Sequence, residues 1–160
     1  MNKKARWLIV ALLLVCSTSS FAVGLGLQYS GNAGKIYTNG IAINLKLDDR
    51  PIVFAASYYI DDDKSFGLTG DYWLFEKPIG NSGKSTINWF AGVGLFLSMF
   101  FGDDFELHDG IRVPLGVNMF IDKKIELYAQ VVPAFGISMI PTIKTNGFYI
   151  PISGGFRVWF

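Results

Sequence analysis

The chain has 160 residues, with 14 Lys and Arg against 13 Asp and Glu, so its charge is nearly balanced. This balance excludes the strongly basic surface that nucleic-acid-binding proteins present. Apolar residues make up 51% of the chain and its mean hydropathy is +0.34, which is more than a domain of this length buries in its own interior. We therefore expect many apolar side chains to face something other than water.

The N-terminus has the organisation of a secretory signal peptide. Basic residues precede an apolar run over 7–15, which is too short to cross a bilayer as a helix. Small residues follow, and the last of them, Ala22, fits the small residue before a cleavage site. We predict a signal peptide over 1–22 and a mature domain over 23–160.

An alternative interpretation concerns Cys16. The preceding apolar residues could form a lipoprotein signal with Cys16 as the lipidated residue, although Val15 is unfavourable just before such a cysteine. Cleavage after Ala22 instead removes the only cysteine, so the mature chain could form no disulfide.

After residue 22, no apolar run reaches the roughly 18 residues that a transmembrane helix needs. The chain shows period-two alternation of apolar and polar or small residues, broken by turn residues, which is typical of transmembrane β-strands. The predicted strands are 23–30, 39–47, 52–60, 66–75, 87–98, 111–120, 125–134 and 148–160.

Short and long connections alternate between most of these strands. Tight turns are predicted at 48–51 and 122–124. A Gly-, Lys- and Ser-rich connection over 76–85 is an exception; its end resembles a phosphate-binding loop but lacks the first glycine, so we interpret it as a polar turn. The predicted exterior loops are 31–38, 61–65, 99–110 and 136–147.

These features predict an all-β fold, an eight-stranded antiparallel up-and-down transmembrane β-barrel. Lipid cannot hydrogen-bond an open sheet edge, so the first and last strands should pair. Glycines on the inward sides of the first and fifth strands suit a narrow barrel.

Four charged residues lie on the polar sides of their strands and are predicted to face the lumen: Asp71, Arg112, Glu126 and Arg157. Because unpaired buried charge is costly, we expect the arginines to pair with the carboxylates, with Arg112 and Glu126 as one pair within reach. The favoured interpretation is a side-chain-filled lumen. A polar path that sets the selectivity of a channel is the alternative.

Aromatic residues near one rim, Phe96, Phe100, Phe101 and Phe105, fit an interfacial aromatic girdle or, alternatively, an apolar entry to the lumen. The only histidine, His108, falls within the acidic predicted loop, where we expect it to be exposed to solvent. We predict no catalytic residues, no metal site and no cofactor.

At the C-terminus, Phe156, Val158 and Phe160 alternate with other residues, and a terminal Phe in this setting resembles the signal read by the barrel-assembly machinery. Four stretches resemble small outer-membrane barrels of the OmpX and OmpW type, and in particular a family of uncharacterised predicted barrels. They are Asp-Tyr-Trp at 71–73, Gly-Val-Gly at 92–94, Gly-Ile-Arg-Val-Pro-Leu-Gly at 110–116, and Glu-Leu-Tyr-Ala-Gln-Val-Val-Pro at 126–133. The resemblance covers most of the mature chain and implies an architecture, without implying enzymatic residues.

We therefore expect a non-enzymatic protein of the cell outer membrane, exported by its signal peptide, with a structural or surface-interaction role through its exterior loops. Its expected partners are outer-membrane lipid, the assembly machinery and an unknown extracellular ligand, but no nucleic acid. Alternatives are a narrow channel or transporter for small solutes, including hydrophobic ones, and a soluble lipocalin-like barrel, in which the inside and outside faces would be exchanged.

Overall fold

The computed structural model describes residues 22–32, 39–48, 50–60, 65–83, 85–102, 104–141 and 143–160. The predicted signal peptide and the alternative lipidation site at Cys16 lie outside these residues, apart from Ala22. No helix within the described ranges is long and apolar enough to cross a membrane. The strand segments are β1 (Val23–Asn32), β2 (Gly40–Leu47), β3 (Ile52–Tyr59), β4 (Ser65–Ser82), β5 (Ser85–Phe101), β6 (Phe105–Arg112), β7 (Leu115–Ile121), β8 (Ile125–Val131), β9 (Ala134–Ile140), β10 (Lys144–Tyr149) and β11 (Pro151–Trp159).

Three barrel strands are interrupted beside a proline. The breaks between β6 and β7, β8 and β9, and β10 and β11 fall at Pro114, Pro133 and Pro151, because proline has no N–H to give to the ladder. The proline carbonyls still accept: Val113 N donates to Pro133 O and Val132 N to Pro151 O, each at 2.8 Å. The segments on either side of each break therefore act as one strand, which makes eight barrel strands.

The sheet closes on itself. Consecutive barrel strands pair antiparallel throughout, and β1 pairs with β11 from Gly24 opposite Trp159 to Asn32 opposite Pro151. The predicted eight-stranded antiparallel up-and-down barrel and its closure by the first and last strands are confirmed.

The strands are longer than the sequence predicted. The expected connection over 76–85 is an extension of β4 and β5 that ends at a tight turn, and β4 carries bulges between Trp73 and Phe75 and between Pro78 and Gly80. Most of the expected loops at 99–110 and 136–147 is also strand, formed by β5, β6, β9 and β10. The other two expected loops fall largely outside the described residues, at 33–38 and 61–64.

The two faces of the barrel differ sharply in chemistry. Along β8, for example, Leu127 and Val131 are exposed on the outside, whereas Glu126, Tyr128 and Gln130 are buried in the lumen. We call the end of the barrel at which β2 is followed by β3, β4 by β5 and β7 by β8 the turn end. The opposite end, where β5 meets β6 and β9 meets β10, is the loop end.

Candidate functional site

The four charged residues predicted for the lumen all lie inside the barrel and form two ion pairs. Asp71, Glu126 and Arg157 are at most 4% exposed. Arg157 Nη1 lies 3.0 Å from Glu126 Oε1, and Arg112 Nε lies 3.0 Å from Asp71 Oδ1. Arg112 therefore pairs with Asp71, and the Arg112–Glu126 pair expected from the sequence is not among the ion pairs of the described residues.

The register between β8 and β11 explains the Arg157–Glu126 pair, and a glycine on the intervening strand explains the Asp71–Arg112 pair. Arg157 stands directly opposite Glu126 across the β8–β11 ladder. Asp71 and Arg112 are two strands apart, and both stand opposite Gly94 on the strand between them. A Cβ on Gly94 would overlap Asp71 Oδ1, so the glycine leaves the space in which the two charges meet.

Three further residues join the Arg157–Glu126 pair. Lys46 Nζ lies 3.0 Å from Glu76 Oε2 and 3.4 Å from Glu126 Oε1. Asn118 Nδ2 donates to an oxygen of each of these carboxylates at 2.7 Å. We call Lys46, Glu76, Asn118, Glu126 and Arg157 the plug network.

Lys46 and Glu76 are not among the four charged residues expected in the lumen from the sequence. Lys46, like Asn118, stands on the polar side of its predicted strand, so the alternation could have identified it, as it places Asn118 inside. Glu76 was missed because the bulge between Trp73 and Phe75 shifts the alternation of β4 by one residue, which turns Glu76 towards the lumen. With Asp71 and Arg112, these ion pairs join three cations to three anions, so the formal charges within them balance.

Aromatic rings pack beside the plug network. Trp73 and Phe90 stack at 3.7 Å with planes 4° apart, and both are almost completely buried. Lys46 Nζ lies 3.9 Å from the Trp73 ring centroid, and Arg157 Cζ lies 4.0 Å from that of Tyr128. Cation–π contacts of this kind hold the charged heads against the rings.

A cavity of about 60 Å³ lies towards the loop end, above the plug network. We call it the loop-end cavity. Its lining combines polar side chains, among them Arg112, with apolar and aromatic ones. The lining residues central to its chemistry are Ser57, Thr69, Arg112, Phe96, Val132 and Ala134.

Two expectations near this end are wrong. His108 is not solvent-exposed: it is 7% exposed on β6, with Nε2 2.9 Å from Glu106 Oε2. Phe96 is not a rim aromatic, because it is 7% exposed inside the barrel and meets Tyr149 edge to face at 5.8 Å. Both residues occupy even-numbered positions of strands whose even positions face the lumen.

The remaining predicted aromatics divide between the two faces. Phe100 stacks on Tyr59 at 6.0 Å and contacts His108, whereas Phe101 and Phe105 are exposed and contact each other at 5.3 Å.

At the C-terminus, Phe156 and Phe160 are exposed, and Val158 between them is partly exposed. Their side chains are thus accessible from outside the barrel.

The described residues contain no group of three His, Cys, Asp or Glu side chains arranged to hold a metal ion. The segment that resembled a phosphate-binding loop forms the hairpin turn between β4 and β5, without the helix that phosphate binding of that type requires.

No protein-family model and no curated protein matches the chain by sequence. Among solved structures, the chain is similar to the N-terminal β-barrel domain of Pseudomonas aeruginosa OprF, with 12% identity and a TM-score of 0.56 over 87% of this chain and 97% of that one. Neisserial surface protein A matches with 17% identity and a TM-score of 0.49 over 89% of this chain and 98% of that one. These structures do not single out the OmpX or OmpW type, and at such low identity the OprF match shows a shared barrel fold alone.

Proposed function

We propose that this protein is an outer-membrane barrel with an occluded lumen and a structural or surface-interaction role. The observation that carries the proposal is the apolar outer face. Large apolar side chains that are 40–65% exposed occur on all eight barrel strands: Leu27, Ile43, Phe54, Leu68, Leu95, Ile111, Phe135 and Ile152. Soluble proteins rarely expose apolar surface over so many neighbouring elements.

The inner face supports the same conclusion. Buried polar and charged side chains fill the lumen, which is the reverse of a lipocalin-like barrel with its apolar interior. A barrel with this polarity is stable when hydrocarbon surrounds it, because its backbone groups are paired internally. Outer-membrane lipid is therefore its proposed partner.

Export and assembly complete the proposal. The N-terminal sequence fits a cleavable signal peptide, and the exposed Phe156 and Phe160 suit recognition by the barrel-assembly machinery. The surface role is assigned to the loop end and its unknown extracellular ligand. This end offers exposed Phe101, Phe105 and Glu106 in place of the longer loops expected from sequence.

Membrane fractionation and gel mobility test this proposal. We expect the expressed protein in the outer-membrane fraction, migrating faster before boiling than after it because the closed barrel resists SDS. Replacement of Phe160 by Ala should lower the amount of assembled barrel. Replacement of the neighbouring Trp159 is not a suitable control, because its side chain faces the interior. Ile143→Ala, an exposed change at the loop end, serves as the control and should assemble normally. Recovery of the wild-type protein in the soluble periplasm would overturn the proposal.

A narrow channel for small solutes is the second candidate function. Several buried polar atoms in the lumen have no hydrogen-bond partner among the described residues, and two of them, Trp73 Nε1 and Asn118 Oδ1, are in no ion pair either. Buried polar groups of this kind usually bind water, so water beside the plug network favours a path that could open. Ion conductance across a planar bilayer distinguishes the two functions.

A further inference from the structure

We propose that the loop-end cavity binds a small carboxylate through Arg112. The site is distinct from the plug network, and the proposal depends on the cavity rather than on whether the barrel conducts ions. Arg112 lines the cavity and stands opposite Ala134 across the β6–β9 ladder.

Arg112 has donors that the protein leaves unused. Its contact with Asp71 runs through Nε at 3.0 Å. A guanidinium carries five N–H donors, and the terminal nitrogens of Arg112 donate no hydrogen bond to the described residues. The planar fork of an arginine matches the two oxygens of a carboxylate better than it matches a single acceptor.

The lining favours an amphipathic ligand. Ser57 and Thr69 add hydroxyl donors to the N–H donors of Arg112. Val132, Ala134 and Phe96 are at most 7% exposed and add apolar contacts to the same lining. A carboxylate with a short alkyl group can therefore meet both donors and apolar carbon in the cavity. Inorganic phosphate or sulfate would place charged oxygens against apolar carbon, which is unfavourable.

Volume limits the size of the ligand. The cavity of about 60 Å³ is several times the roughly 10–15 Å³ that a single water molecule needs at minimum. We therefore propose a ligand of only a few non-hydrogen atoms, such as acetate or propionate. Asp71 offsets the charge of Arg112, so we expect affinity on the order of millimolar for so small a ligand.

Titration of the refolded full barrel with ¹³C-labelled acetate, followed by NMR, tests the proposal. We expect saturable binding of acetate and at least about tenfold weaker binding of acetamide, which has the same shape without the charge and loses a charge-assisted hydrogen bond. Benzoate should not bind, because it exceeds the cavity.

Two variants locate the binding. Ala134→Leu fills the cavity, whereas Ala129→Leu makes the same change on the exposed outer face and is the matched control. We expect Ala134→Leu to abolish saturable binding and Ala129→Leu to leave it unchanged. If Ala134→Leu does not refold, the double variant Asp71→Asn/Arg112→Gln, which removes both charges and leaves neutral amides in their place, should weaken acetate binding by at least about tenfold. Absence of saturable acetate binding by wild type, or binding that these variants leave unchanged, would show that the cavity holds only water.

Discussion

At the scale of single residues, Glu126 holds the plug network together. It is completely buried and lies within 3.4 Å of both Arg157 and Lys46, while Asn118 and Trp159 donate hydrogen bonds to its two oxygens. A buried carboxylate is stable only when charges and donors surround it in this way. Removal of its charge leaves two buried cations with fewer partners.

A double-mutant cycle on Arg157 and Glu126 measures this pairing. We expect Glu126→Gln alone to lower the free energy of unfolding by about 3–5 kcal/mol, because Glu126 is completely buried and both Arg157 and Lys46 lose a charged partner. The coupling energy between the two residues should be about 1–3 kcal/mol in urea unfolding of the lipid-embedded protein.

The matched control is a cycle on Arg112 and Glu126, the pair expected from sequence. Arg112 contacts Asp71 instead, so its coupling to Glu126 should stay below about 0.5 kcal/mol. Equal coupling in both cycles would contradict the observed pairing.

At the scale of the strands, glycines act as spacers that let polar groups meet over an intervening strand. Arg157 Nε donates to Asn44 Oδ1 at 2.6 Å over Gly26, which stands opposite both residues. Tyr128 OH donates to Gln28 Oε1 at 2.8 Å over Gly155 in the same way. The Asp71–Arg112 pair over Gly94 follows the same rule.

Gly94→Ala tests this role. The new methyl group would overlap Asp71 Oδ1 and lie 2.6 Å from Gly70 O. We therefore expect the free energy of unfolding, measured in urea, to fall by about 1–3 kcal/mol or more. Gly80→Ala is the matched control, because a Cβ there meets nothing within 4 Å. Its effect should lie within about 1 kcal/mol of wild type, since alanine also restricts the unfolded chain. Similar losses in the two variants would argue against the spacer role.

The apolar outer face leads to a prediction for the strand formed by β8 and β9. Val131 lies near its middle and Met139 near its loop end, and they are 42% and 45% exposed on the same face. In lipid, Val131→Arg should cost about 2–4 kcal/mol and Met139→Arg about 0–1 kcal/mol, because the penalty for charge depends on depth. Urea titration of the two variants in vesicles measures this difference. A larger loss at Met139 would place the membrane elsewhere on the barrel.

At the scale of the whole molecule, the alternation of apolar and polar residues predicted the barrel but not the full length of its strands. Outward apolar positions such as Leu95 and Ile111 recur with period two, so the strand count and direction could be read from the sequence. Near the loop end of the barrel, the inward-facing residues are polar, as Ser98 and His108 are. Because polar residues are also typical of loops, the sequence of these strand ends resembles that of a loop. The ion-pair partners could not be predicted, because they depend on the register between neighbouring strands, which cannot be read from the sequence.

The proposed occlusion of the lumen leads to a prediction about ion conductance. Trp73 and Phe90 fill space beside the charged side chains, so their loss would leave a polar void that admits water. In planar bilayers we expect no conductance steps from wild type and ion-conducting steps from Trp73→Ala/Phe90→Ala, provided that the variant still shifts in mobility on boiling. The control is Phe75→Ala/Trp89→Ala, which removes a stacked pair from the exposed face of the same two strands. It should remain silent. Steady conductance from wild type would instead favour the channel, because it would mean that ions pass the plug network without any loss of its packing.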